Sequence, residues 1–267
     1  MPGSRVVPQP GFPLSRRELR KVFQFGPEYD FLDHYALRDV QHFKDDFDGK
    51  ALDTTNDYSV AAGATATTWA MLSGGENGLL RGISGTTAAT SGLQLSRPGV
   101  FKSAENIGIE VYFVPSVVTE TRFEIGFVNS LPAVNTTIVN SLTTPTLNTA
   151  TDAALYVFDN ASSTNTSELV TVSSVSSGQA NKQVCSPSQL PTAATFQHVR
   201  LECKGNNAFL WVNGKLVAQQ TGTGASSAIN PATAVLPVFM SHKKSDTTTS
   251  NIDIDYVRVY SDRLNQA

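Results

Sequence analysis

Cysteine is almost missing from this chain: Cys185 and Cys203 are its only two in 267 residues. Two thiols cannot build a disulfide framework and they lack the paired spacing of a zinc site, so both are expected to be ordinary buried side chains. Charge is scarce too, at 16% of residues against roughly 25% in ordinary soluble domains. With a formal net charge of -3 and a pI near 5.8, the chain has no basic balance suited to nucleic acid or an anionic membrane. Long apolar runs are absent. The opening Met1-Pro-Gly-Ser-Arg-Val-Val-Pro lacks the unbroken hydrophobic stretch of a signal peptide, and no later segment reaches bilayer-spanning length. The expectation is a soluble protein made in a reducing cytosol, in which the triplets starting at Asn135, Asn160 and Asn165 are chance sequons rather than glycosylation sites. No repeat, heptad series or collagen-like triplet is present, which excludes a fibrous shaft.

What the chain does contain divides at about residue 41. Residues 1–41 hold four prolines before residue 14, then a cluster of charges, and read as an N-terminal docking arm with one or two short helices. Ser15-Arg16-Arg17-Glu18 is a capping box, with Leu14 and Leu19 placed as a hydrophobic staple, so a helix is expected from Arg16 to about Gln24. Arg16, Arg17, Arg20 and Lys21 crowd that helix, and the first two oppose the positive end of its own dipole. Local stability therefore does not explain them. They read either as a solvated charged face or, with Phe23, Phe25 and Tyr29, as a partner-docking surface. A second helix is expected from Pro27, with Leu32, Tyr35, Ala36 and Val40 on one side.

From residue 42 the period changes to two. Ile107, Ile109, Val111 and Phe113 alternate with Gly108, Glu110 and Tyr112; Phe123, Ile125 and Phe127 repeat the pattern; Val199, Leu201 and Cys203 alternate with Arg200, Glu202 and Lys204. Asn213-Gly214, between Leu210-Trp211-Val212 and Lys215-Leu216-Val217, marks a hairpin, because a type I′ turn needs positive φ at both central residues. Many half-apolar strands with turn clusters between them are buried most simply by two packed sheets. The expected fold class is thus all-β, a two-sheet antiparallel sandwich over residues 42–263, followed by a short tail, 264–267. Between Asn129 and Ala180 there is no Lys or Arg, and long neutral loops are expected around strands at 156–158 and 169–172.

Three segments carry a resemblance. His42-Phe-Lys-Asp-Asp-Phe-Asp-Gly-Lys-Ala-Leu-Asp-Thr-Thr55, then Phe196–Glu202 followed by Ala208–Gly214, then Ile252–Tyr260, resemble in order the opening, middle and closing strands of laminarinase-type glycoside hydrolases and their non-catalytic relatives in the concanavalin-like jelly-roll superfamily. The resemblance implies two curved sheets with a face that holds sugars. It also implies a test of activity, since that chemistry needs two carboxylates about 5 Å apart, with a third between them on the same strand face. The best-placed strand has Glu124 followed at same-face positions by Gly126 and Val128, so two of the three are absent and no enzyme activity is expected. None of His34, His42, His198 or His242 lies in a recognised nucleophile context, and there is no Gly-x-Ser-x-Gly elbow.

No organic cofactor is expected. Relatives of this fold often hold calcium, which makes Asp46, Asp48, Asp253 and Asp255 candidate ligands; the plain alternative is turn and strand-edge acids in water. Trp69 and Trp211 are candidate sugar-stacking rings, or else core residues. A low-charge, cysteine-poor sandwich behind a separate arm also resembles the structural proteins of phage particles, especially head decoration proteins. That resemblance implies a non-enzymatic virion protein whose partner is the major capsid protein or another virion protein, and which forms a homo-oligomer. The alternative is a carbohydrate-binding, lectin-like module that holds a host glycan.

Overall fold

Side-chain alternation decides where the strands form, and the turn residues between them decide where they stop. In this computed structural model, residues 40–47, 51–55, 57–63, 68–72, 78–85, 92–97, 101–160, 166–174, 179–185, 189–222, 227–243 and 249–262 are described. In chain order the strands are β1 (Val40–Asp45), β2 (Ser59–Ala62), β3 (Thr68–Leu72), β4 (Leu79–Ile83), β5 (Leu93–Ser96), β6 (Ile107–Pro115), β7 (Thr121–Val128), β8 (Val139–Ser141) and β9 (Thr146–Leu147). They continue with β10 (Ala153–Asp159), β11 (Thr166–Ser173), β12 (Gln179–Val184), β13 (Gln197–Lys204), β14 (Asn207–Val212), β15 (Lys215–Gln220), β16 (Leu236–Lys243) and β17 (Asn251–Asp262).

These strands build two large antiparallel sheets packed face to face as a jelly-roll sandwich, as the alternation predicts. One sheet runs β15-β14-β13-β6-β17-β4-β3, with β1 also paired to β17; the other runs β12-β11-β10-β7-β16-β5-β2. β8 and β9 form a small third sheet. The Asn213-Gly214 hairpin is present, with φ of 50° and 77° at its two central residues. β1 and β17 pair from Val40↔Asp262 to Asp45↔Val257, so the chain enters and leaves the sandwich at one end. This pairing corrects one expectation. A second helix cannot extend to Val40, because that residue is committed to the ladder with Asp262. The candidate docking residues Arg16, Arg17, Arg20, Lys21, Phe23, Phe25 and Tyr29 lie outside the described residues, as do Asp48 and the 264–267 tail.

Between the sheets lies a core in which β6 contributes Ile107, Ile109, Val111 and Phe113, β7 contributes Phe123, Ile125 and Phe127, and β17 contributes Ile252, Ile254, Val257 and Val259. Phe113 packs edge-on against Phe123 and Phe239, with ring centroids 5.5 and 5.4 Å apart, the geometry the ring quadrupoles favour. Cys185 and Cys203 are free, buried thiols in this core, and burial raises the pKa of both.

A second core lies on the opposite face of the seven-stranded sheet. Val128, Ala153, Leu155, Val157, Val170, Val238 and Met240 rise from the sheet to meet Ile138, Val139 and Ala150, with Leu131, Leu142 and Leu147 packed around them. Every residue of β7 and β10 is consequently buried, on both faces of the sheet. The chain thus has three layers in this region, the outermost being its own segment 129–150.

Candidate functional site

Glu124 is the residue on which the resemblance puts any hydrolytic chemistry. Alternation along β7 sends Phe123, Ile125 and Phe127 into the main core, leaving Arg122, Glu124 and Val128 on the outer face. Glu124 is 0% exposed. Its Oε2 accepts a hydrogen bond from the Ile138 backbone N–H at 2.7 Å, and its Oε1 accepts from the Val139 N–H at 2.9 Å and from Arg122 Nη2 at 3.0 Å. Arg122 also donates to the Val139 carbonyl at 2.6 Å and, at 3.4 Å, to Asp159. Burial pushes the Glu124 carboxyl above its ordinary pKa, against the pull of Arg122 and the two backbone donors. A carboxylate so engaged has no oxygen turned toward a substrate.

The segment it holds is unusual in composition. Residues 129–150 contain no charged side chain, and much of their polar attachment comes from Glu, Arg and Lys side chains of the sheet that reach main-chain atoms of the segment. Glu124 takes two N–H groups, Arg122 gives to one carbonyl, and Lys182 on β12 donates to the Leu142 carbonyl at 2.6 Å while lying 3.6 Å from Glu168. The base of the segment is closed by Asn129, whose Oδ1 accepts from the Thr151 and Asp152 N–H groups.

Gly126 stands where the hydrolase pattern places its middle carboxylate. A Cβ built there would lie 2.1 Å from the Ala154 carbonyl oxygen and 2.7 Å from Leu201 Cδ2, and φ is +154°, so no side chain fits. His242 faces Arg122 across the β16–β7 ladder; burial, followed by the Arg122 charge, lowers its pKa to about 4. It is a neutral imidazole at pH 7. A small opening elsewhere, beside Tyr58, Arg97 and Phe239 between the sheets, holds about 10 Å³, roughly one water.

The outer face of the eight-stranded sheet is different, being aromatic, charged and partly open. Phe196, 40% exposed, stacks on Tyr112 at 4.7 Å, Tyr112 stacks on Tyr256 at 5.8 Å, and His198 lies 6.3 Å from both tyrosine rings. Beside this row, Arg200 bonds Glu202 and lies 3.7 Å from Glu110, while Tyr260 donates to Glu202 at 2.7 Å. Trp211 belongs here, with the Arg200 guanidinium over its ring at 4.5 Å. Trp69 is instead partly buried against the main core, over Gly82, and its indole N–H donates to the Ala61 carbonyl at 3.3 Å. Three of the four candidate calcium ligands, Asp46, Asp253 and Asp255, are among the described residues. Asp253 is held in a two-bond ion pair with Arg81, both bonds 2.6 Å, whereas Asp46 and Asp255 are close enough that Asp46 adds to the burial that raises the pKa of Asp255. Among the described residues no group of three or more metal-binding side chains converges.

Comparison with known proteins yields fold and nothing finer. No family model matches the chain, and no curated protein does either. Among solved structures it is similar to LamAcat of Zobellia galactanivorans, at 13% identity and a TM-score of 0.57 over 82% of this chain and 96% of that one. It is also similar to Rv0315 of Mycobacterium tuberculosis, described as an immunostimulatory antigen and pseudo β-1,3-glucanase, at 12% identity and 0.54 over 82% and 98%. The carbohydrate recognition domain of Emp47p matches at 11% identity and 0.53 over 84% and 97%. The fold is therefore the concanavalin-like jelly roll seen in these three proteins.

Residue-by-residue reading of the sequence missed the partners of Glu124. Arg122 was findable, since it lies two positions away on the same strand face. The role of 129–150 had a fainter signal, in Leu131, Ile138, Val139, Leu142 and Leu147 scattered through a stretch that otherwise reads as neutral loop. Asp159 and His242 come from distant strands and carry no local signal.

Proposed function

We propose that this protein is a non-catalytic structural component of a virus particle, a capsid-associated or head decoration protein whose N-terminal arm docks on a neighbouring virion protein. The observation that carries the non-catalytic part is the filled sheet face: Glu124 is spent on the main chain of 129–150, and Gly126 leaves no room for a second carboxylate. The assembly part is supported by composition and topology. A low-charge, polar exterior keeps its interactions nearly constant across salt conditions. With Val40 paired to Asp262, anchoring through residues before Val40 would turn the far end of the sandwich, with the Asn213-Gly214 hairpin, away from the particle.

Quantitative mass spectrometry of purified particles from the encoding lysate tests this reading. Copy number in fixed ratio to a major capsid protein is expected, and removal of residues 1–39 should abolish incorporation while the sandwich stays folded. Absence from particles overturns the assignment. A second reading, a lectin-like module, is favoured by the Phe196–Tyr112–Tyr256 row on the outer face of the eight-stranded sheet. Calorimetric titration with host-derived oligosaccharides tests it, and binding that survives Phe196→Ala would refute that location.

A further inference from the structure

The Asn-Gly dipeptide is the sequence most prone to spontaneous deamidation, because glycine offers no side chain to hinder attack by its own backbone nitrogen. The Gly214 nitrogen would attack Asn213 Cγ. The bond from Cγ to the side-chain nitrogen would break, ammonia would leave with the proton from Gly214, and one water would open the resulting succinimide to aspartate or isoaspartate. Both residues are exposed at the hairpin tip, so solvent access does not prevent this.

The side chain, however, is held at both ends. Asn213 Oδ1 accepts from the His198 backbone N–H at 2.9 Å, and its Nδ2 donates to Gln197 Oε1 at 3.1 Å. Its own backbone N–H donates to the His198 carbonyl at 2.8 Å. The amide thus stands in for the next rung of the β13–β14 ladder, one residue past Val199↔Val212. Gln197 is itself 3% exposed and donates to the Thr195 carbonyl at 3.2 Å. The clamp is therefore anchored in the sheet, and it directs Cγ at β13 rather than at Gly214.

We propose that Asn213 is a conformation-gated deamidation site, shut in the folded sandwich by Gln197 and His198 and reactive once the start of β13 parts from the β14–β15 hairpin. Deamidation would be an irreversible record of that opening, since the ammonia is lost, and isoaspartate would lengthen the backbone at a residue the turn needs at positive φ.

Peptide mapping that separates isoaspartate tests this on the full chain at mildly alkaline pH, native against urea-unfolded, with Asn77-Gly78 read in the same digest as an internal reference. Native Asn213 should react about thirtyfold more slowly than unfolded, the factor that two tethering hydrogen bonds of ordinary strength imply; a difference under about fivefold overturns the proposal. Gln197→Ala should accelerate the native reaction, and near-UV circular dichroism establishes that the variant is folded. An unchanged rate in folded Gln197→Ala overturns the proposal as well.

Discussion

Replacing Glu124 by alanine removes the acceptor for three buried donors at once: the Ile138 and Val139 N–H groups, at 2.7 and 2.9 Å, and Arg122 Nη2, at 3.0 Å. An orphaned buried N–H costs about 1–3 kcal/mol, and breaking one side of a buried ion pair costs about 3–5 kcal/mol. Arg122 keeps Asp159 and the Val139 carbonyl, and water can enter the space left by the carboxyl, so the sum falls toward the lower end. We expect Glu124→Ala to lose about 5 kcal/mol, a large part of the total stability of an ordinary domain. Glu124→Gln keeps one acceptor oxygen and should lose about 2 kcal/mol. Equilibrium urea unfolding measures both values. Hydrogen exchange read by mass spectrometry then locates the loss, which should fall on 138–148 and spare β6, because the neck at Asn129, Thr151 and Asp152 does not involve Glu124. A change under about 1 kcal/mol, with 138–148 still protected, would refute the idea that Glu124 anchors this segment.

Acid should destabilise the same region through His242. Its folded pKa is about 4 against 6.5 unfolded, so the stability it allows is complete above pH 6.5 and is lost as pH falls toward 4. Between pH 7 and pH 5 this is about 2 kcal/mol, and His242→Gln should flatten the urea midpoint over that range; an equally steep pH dependence in the variant would sink the assignment. Gly126→Ala should cost about 3 kcal/mol or more, because the Ala154 carbonyl that meets its Cβ is backbone and cannot move aside. Introducing carboxylates with Gly126→Asp and Val128→Glu should accordingly give poorly soluble protein and no reducing-sugar release from a β-1,3-glucan. A folded, active double variant would overturn the account of the filled face.

The main strands were legible because their information is local. The run around Ile107 to Phe113 became β6, that around Phe123 to Phe127 became β7, and Asn213-Gly214 became the turn it spells, since period-two burial and positive φ are properties of adjacent residues. The lone carboxylate at Glu124 was legible for the same reason. What lies on it was not. Residues 129–150 have the composition of a solvated loop, and only the meeting of β7, β10, β11 and β16 creates the apolar face that Ile138, Val139 and Leu142 cover. The partners Asp159 and His242 reach Arg122 through ladder pairing with β10 and β16, strands whose register is set by the whole sheet. The sequence by itself therefore determined the strands, the hairpin and the lone carboxylate on β7, all short-range or compositional. Tertiary structure alone decided that the free sheet face is closed by the chain's own uncharged segment, because burying an apolar surface is a bargain between residues far apart in sequence.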